Sequence, residues 1–576
     1  MYKLQDINNE FKLPIMYTEK KNNIDEHLIE DLELVEFKDN SNNSIYHYIF
    51  NPEDNFSKIT TKMWAKQYSY DEDFLNDSRN LYETFIPNKS VIFEEDKKDI
   101  ENMWADIKND LSFKTNYQYV EWTVFEKLNY SSIFLFIMSI YSISSPILSL
   151  MTPIFFLIIP FILLKLQNIP ITIEKYTEVV KQMFSRHAIG KMFGKFNGGT
   201  MNEKVYLLAM FAFYLYQIYQ NTCICIRYYL NMTKIHNYLN ILKKYLSYTL
   251  ESMDNLLVYT KDLNTYTKFN NDLEENKNIL MQLNKQVCLV KPFSFSLQKF
   301  FQIGEILKLF YRIRQDSNIN KVMVYSFGLN GYIENIKSLQ KQIFINENIN
   351  FCSITDKKTK FTEAYYPPLL DALKNIKNTY DINKNYIITG PNAAGKTTFI
   401  KTTILNIIFS QQICAGFYTK ADVSLYQQIH CYINIPDTSG RDSLFQAEAR
   451  RCKDILDMIE NNPDDKHFCI FDELYSGTNP YEATASAYGY LKYLSKLSNV
   501  KFILTTHFID LCKDIEKVPN IRNYHMKSQL IKSKIKYKYL LARGISTIKG
   551  GIQVLYDLYY PKKIIDLAEE HLNALK

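Results

Sequence analysis

Gly390, Gly395, Lys396 and Thr397 stand at the spacing G-x-x-x-x-G-K-T inside IITGPNAAGKTTFI, and residues of these types at these intervals describe a cradle for phosphate oxygens. Small residues let backbone N–H groups and a helix N-terminus approach an anion closely. The cradle comprises Gly390, Pro391, Asn392, Ala393, Ala394, Gly395, Lys396, Thr397 and Thr398. In such a loop the lysine bridges the β and γ phosphates of ATP and the hydroxyl of Thr397 is a ligand for Mg²⁺. Two further segments supply reactive groups. HFCIFDE ends in Asp472, placed to hold Mg²⁺ through water, and Glu473, placed to polarise the attacking water. KFILTTH ends in His507, whose imidazole could reach the γ-phosphate.

These groups must be delivered by strands and carried by helices. NYIIT before the cradle and FIKTTILNIIF after it give the strand and helix that the motif needs, and each of the other two segments is an apolar run followed by a helical pattern. From about residue 344 strand-like and helix-like stretches alternate, which predicts an α/β P-loop NTPase domain with a mostly parallel sheet.

The same residues, in the same order, resemble the ATPase domain of the MutS family of DNA mismatch repair proteins, and the match runs from about Phe361 to the end. TGPNAAGKTTFIK resembles that family's Walker A, FDELYSGTNPYEATA its Walker B and D-loop, and TTHF its switch strand. SGRDSLFQAEARRCKDIL resembles the signature segment whose serine, here Ser443, reaches the nucleotide of the other subunit. The tail from Gly544 is similar to the element through which these domains dimerise. The resemblance implies a homodimer with composite ATP sites acting on DNA, with Lys396, Glu473 and His507 catalytic and Thr397 and Asp472 at Mg²⁺. Other repair factors stay unspecified. Where the family carries an arginine in the turn after Walker B this chain has Ser476, and there is no room before the core-like helices for the mismatch-reading domain. Phe93-Glu94-Glu95 fits that domain's F-x-E pattern only formally.

The rest of the chain reads as helices. A net charge of +6 over 68 basic and 62 acidic residues excludes a polycation built as a whole for nucleic acid, and nine scattered cysteines without metal-ligand spacing fit a reducing compartment. No secretory signal is expected at the N-terminus. Between Lys127 and Lys165 no charged residue occurs, and Pro146 and Pro153 fall near the middle, which predicts a transmembrane hairpin over 128–167 with both ends on the cytoplasmic side. Lys165, Lys175, Lys181, Arg186, Lys191, Lys195 and Lys204 follow, suited to a cytoplasmic flank, to anionic lipid or to DNA. Val205–Ile226 is also uncharged and long enough to span but carries Gln217, Gln220 and Asn221, and reads as a buried helix, with a third membrane span as the alternative. The expected organisation is a helical core part over 1–127, the hairpin, a helical core/lever domain over 168–343, the ATPase domain over 344–550 and a helical dimerisation element over 551–576. Two functions follow: a DNA-processing clamp near a membrane, or a membrane-anchored mechanochemical ATPase without DNA recognition.

Overall fold

The stretch FIKTTILNIIF has apolar residues on every side, the pattern of a helix with no solvent face. The computed structural model, which describes residues 6–36, 43–88, 93–166, 170, 172–186, 201–291, 297–369, 376–433, 443–531, 534–546, 548, 552, 555–556 and 558–574, buries that helix, Lys396–Ile413, along nearly its whole length. It lies in the larger of two compact units, formed by residues 4–89, 251–276 and 324–576.

In chain order the strands are β1 (Lys21–Asn23), β2 (Gln67–Ser69), β3 (Asn350–Ile354), β4 (Thr359–Ala364), β5 (Asn378–Ile382), β6 (Asn385–Thr389), β7 (Ala415–Gly416), β8 (Lys420–Val423), β9 (Gln428–Tyr432), β10 (His467–Asp472), β11 (Val500–Thr505), β12 (Ile521–Ile531) and β13 (Lys534–Arg543). β13-β12-β6-β11-β10-β9 form one sheet, in which β13 runs antiparallel to β12 and the other neighbours are parallel. A second, mixed sheet is ordered β5-β4-β8-β3-β7. β6, β10 and β11 are buried almost end to end, as parallel strands covered on both faces must be. Helices Leu444–Asn461 and Pro480–Leu494 bring Cys452, Ile455, Ala487 and Leu491 onto Phe471, Phe502 and Leu504 of this sheet.

The far end of helix Lys396–Ile413 is tied to the N-terminal part of the same unit by buried amides. Gln411 Nε2 donates to the carbonyls of Ser69 and Tyr426, at 3.1 and 2.8 Å. Gln412 Nε2 donates to those of Trp64 and Gln67, at 2.6 and 2.8 Å, while its Oε1 accepts from Tyr46 at 2.8 Å. The expected purely helical N-terminal part is therefore corrected by a short antiparallel ribbon, β1 with β2, whose end meets these glutamines.

The smaller unit, residues 1–3, 90–250 and 277–323, is helical among its described residues. Gly304, in helix Leu297–Gln315, sits so close to the chain at Ser132 that a Cβ there would meet the Ser132 carbonyl oxygen at 2.1 Å. The expected hairpin is not formed: Ser132–Leu166 is one helix of 35 residues, so Lys127 and Lys165 fall at opposite ends of the uncharged stretch. The prolines do not stop it because the carbonyls four residues earlier find other donors. Pro146 leaves the Ser142 carbonyl without its helical N–H, and Ser145 Oγ donates to it at 3.1 Å. Pro153 does the same to the Ser149 carbonyl, and Tyr214 OH donates to it at 2.9 Å. A second correction concerns Val205–Ile226. It forms the first part of the helix Met201–Thr260, yet Tyr206, Phe213, Tyr216 and Tyr219 are exposed on it. Of the basic segment, Lys191 and Lys195 lie outside the described residues.

Candidate nucleotide site

The parallel register brings three strand ends side by side. Asp472 at the end of β10 is opposite Thr505 of β11, and Thr505 is opposite Ile388 of β6, one residue before the loop that begins at Thr389-Gly390. Ligands of open α/β sheets gather at this carboxyl edge. The loop closes on Gly395, the N-cap of helix Lys396–Ile413, at φ +88°, where a side chain would be strained and its Cβ would also lie 3.1 Å from the Tyr539 ring.

Each reactive side chain has a partner. Lys396 Nζ lies 3.1 and 3.4 Å from the carbonyls of Gly390 and Pro391 and 3.1 Å from His507 Nε2. Thr397 Oγ1 donates to Asp472 Oδ2 at 2.8 Å, and Thr505 Oγ1 donates to the other oxygen of Asp472. His507 Nε2 is 2.7 Å from Glu473 Oε1. Burial pushes the Lys396 ammonium below its ordinary pKa, against the opposing pull of Glu473 and Asp472. The hydrogen bond from His507 holds the Glu473 carboxyl below the usual carboxylate range. Glu473 and Tyr475 both have left-handed backbones, φ 53° and 60°, conformations that non-glycine residues adopt at a cost and that concentrate at functional turns.

The structure thus brings together the cradle, Asp472, Glu473 and His507. It does not add Ser443 to them within one chain: Ser443 is the N-cap of helix Leu444–Asn461 and forms a capping box with Gln446. Two features were not foreseen from the sequence. A cavity of about 610 Å³ opens beside the cradle, and its wall includes Tyr365, Tyr380 and Tyr539, a planar aromatic lining drawn from separate loops and strands. Glu448, buried at 2% exposure, accepts hydrogen bonds from Ser476 N, Ser476 Oγ and Gly477 N at 3.1, 2.8 and 3.1 Å and so fixes the turn after Asp472-Glu473. Glu448 lies in the segment already singled out, but nothing in its spacing marks it as a clamp. Phe93 stands at 69% exposure as the residue before helix Glu94–Asn109.

Thr397 and Asp472 offer hard oxygen donors side by side, the chemistry that Mg²⁺ accepts when phosphates and water complete its shell. Among the described residues no group of three His, Cys, Asp or Glu side chains could hold a metal alone.

A phosphate-cradle sequence, a threonine–aspartate pair and a glutamate–histidine pair meet at the carboxyl edge of the parallel strands. Residues 386–576 match the family model for MutS domain V. The DNA mismatch repair protein MutS of Caldicellulosiruptor bescii is 29% identical over 197 residues, 34% of this chain and 22% of that protein. MutS of Persephonella marina is 28% identical over 251 residues, 42% and 28% of the two chains, and the DNA mismatch repair protein MSH2 of Saccharomyces cerevisiae 26% over 237 residues, 38% and 24%. The C-terminal third of the chain thus carries a MutS domain V. The matches span 22 to 28% of the length of these relatives.

Proposed function

We propose that the chain is a MutS-like ATPase that works as a homodimer and uses ATP binding and hydrolysis to close and reopen a clamp on DNA. The observation that carries this reading is the 2.7 Å contact of His507 with Glu473 beside the Lys396 cradle. The backbone of the cradle and Lys396 bind and orient the triphosphate. Thr397 and Asp472 would hold Mg²⁺, which would supply positive charge against the phosphates. Glu473, kept ionised by His507, orients water and accepts its proton. Tyr365, Tyr380 and Tyr539 offer faces for the base.

The dimer completes the site by bringing the Ser443 end of helix Leu444–Asn461 to the nucleotide of the second copy. Exposed Ile564 and Leu567 on the C-terminal helix Lys562–Ala574 supply apolar surface for the contact. Closure would be felt by the N-terminal segment through Gln411 and Gln412, the polar ties at the far end of the cradle helix.

The test is the ATPase rate of the purified full chain without additive, with homoduplex DNA, with mismatched or branched DNA, and with anionic lipid. Stimulation by DNA, falling as salt rises, is the expected result. Turnover indifferent to DNA and raised by lipid would replace the clamp by a membrane-anchored mechanochemical ATPase, the reading favoured by the exposed apolar helices of the smaller unit.

A further inference from the structure

In a water-soluble helix pair the buried seam is apolar and the outer face polar. Helix Ser132–Leu166, which packs on Leu297–Gln315 and is bonded at Ser149 and Ile143 to the first part of Met201–Thr260, has the opposite polarity. Among the described residues the buried positions of the first helix are Leu135, Ser139, Ser142, Ser145 and Ser149, at intervals of four, three, three and four residues, and Leu164. Its exposed positions include Ile133, Ile137, Ile147, Leu150, Ile158 and Ile162. Across the seam, Asn221 Nδ2 donates to Ser149 Oγ, Tyr214 OH to the Ser149 carbonyl, and Cys225 Sγ lies 3.7 Å from the Ile143 carbonyl.

Hydroxyls at the exposed face are closed upon the helices themselves. Ser144 Oγ donates to the Ile140 carbonyl at 2.7 Å, and Thr222 Oγ1 to that of Ile218 at 2.8 Å. Small polar residues on the buried face, hydrogen bonds between helices and exposed hydroxyls closed on their own helix are what a hydrocarbon solvent demands; Gln217 is the exposed amide of the stretch.

The contacts also set a register. Ser149 meets Tyr214 and Asn221 while Ile143 meets Cys225, so the helices are antiparallel. Counting along them from this register brings Lys204 level with Lys165, and Arg227 level with the turn at Tyr141. The uncharged stretch 205–226 then faces its uncharged partner over about 33 Å of helix, close to the thickness of a bilayer core.

We infer that this antiparallel pair, rather than a hairpin within 128–167, is the part of the chain that spans a lipid bilayer, with Lys165 and Lys204 on the side opposite to Arg227. The inference is independent of the nucleotide chemistry, since every residue it uses lies in the smaller unit.

The experiment reconstitutes the full chain into vesicles of phosphatidylcholine and phosphatidylglycerol at 3:1, about the anionic fraction used to mimic a charged leaflet, and follows flotation after high-salt and alkaline-carbonate washes. The wild-type chain is expected to float through both. Ile147→Lys, which places a charge on the exposed face, should lose at least about ten-fold in carbonate-resistant retention, given the cost of a lysine at bilayer depth. Ile147→Ser is the milder companion and should stay membrane-bound, with circular dichroism reporting that the helices persist in both. Release of the wild type by salt or carbonate overturns the inference. So does a detergent-free dimer in light scattering that Ile147→Lys dissociates, for the covering partner is then a second copy of this chain.

Discussion

His507 Nε2 stands 2.7 Å from Glu473 Oε1 and 3.1 Å from Lys396 Nζ, and one ring nitrogen cannot serve both as hydrogen-bond partners at once. Carrying a proton, it donates to Glu473; bare, it accepts from Lys396. A triphosphate that draws Lys396 away would leave His507 with Glu473. Glu473→Gln should therefore keep nucleotide binding and lose about 10²- to 10⁴-fold in turnover, the usual contribution of a positioned base. Binding of a fluorescent ATP analogue and phosphate release measure the two separately, and unimpaired turnover would remove Glu473 from the role.

The depressed pKa of Glu473 gives a pH prediction with a definite sign. A carboxylate lowered in the folded chain stays ionised above its ordinary value of 4.5, and its contact with His507 is lost only as pH falls through the lowered value. The acid limb due to Glu473 in a pH–rate profile should consequently lie below the ordinary glutamate range, and His507→Ala should move it upward. An unmoved limb would mean that another group sets it.

Ser443 carries two roles that substitution can separate. Ser443→Ala removes the cap of helix Leu444–Asn461 and should cost about 1 kcal/mol of stability, whatever happens to turnover. Ser443→Asn retains a capping side chain, so a turnover defect in this variant without a loss of melting temperature isolates the contact with the second nucleotide. A mixed dimer that keeps one intact composite site should recover part of the activity. Full activity of Ser443→Asn would leave the serine a helix cap only.

How far the sequence announced this site depended on whether each contact is local. The cradle, Asp472-Glu473 and His507 were legible because each follows a run of buried strand residues, and a parallel sheet has to align such ends. The glutamate that holds the Ser476–Gly477 turn was not legible, since it acts across 28 and 29 residues of chain from a helix that reads as amphipathic. The prolines at 146 and 153 pointed to a turn because their effect on a helix is local, whereas the hydroxyls of Ser145 and Tyr214 that compensate for them depend on geometry the sequence does not display. Tyr365, Tyr380 and Tyr539 line one cavity only after β5 and β13 have been placed, and so had no spacing to betray them.

Glu448 is open to a direct test. Its carboxylate accepts three hydrogen bonds from the exposed turn at Ser476, two of them from backbone N–H groups. Glu448→Ala should cost about 1–3 kcal/mol in chemical denaturation, the scale of a lost hydrogen bond to a charged group where water can reach the donors left behind. Glu448→Gln, which keeps one acceptor, should fall between the variants. Because the turn follows directly on Glu473, both should also lower turnover more than they lower nucleotide binding.

Acid should destabilise the larger unit through a pair of histidines far from any proposed chemistry. The rings of His430 and His467 are stacked at 5.4 Å, with His430 Nε2 3.1 Å from His467 Nδ1 and His467 Nε2 2.9 Å from the Asn462 carbonyl. This chain of bonds works when both rings are neutral: His467 donates to the carbonyl, and its other nitrogen accepts from His430. Burial pushes His430 from 6.5 down to about 3, and burial likewise lowers His467. The unfolded chain therefore takes up protons that the folded chain refuses as pH falls from 6.5 toward 3. Stability should drop over that window, by up to about 1.4 kcal/mol per pH unit for each histidine fully titrating only when unfolded. Urea denaturation across pH 7 to 4 measures the slope. His430→Gln keeps an N–H for His467 Nδ1 without a titrating ring, so it should flatten the slope by the share of one histidine while leaving stability at pH 7 nearly unchanged. An equal slope in the variant would show that the acid sensitivity comes from elsewhere in the unit.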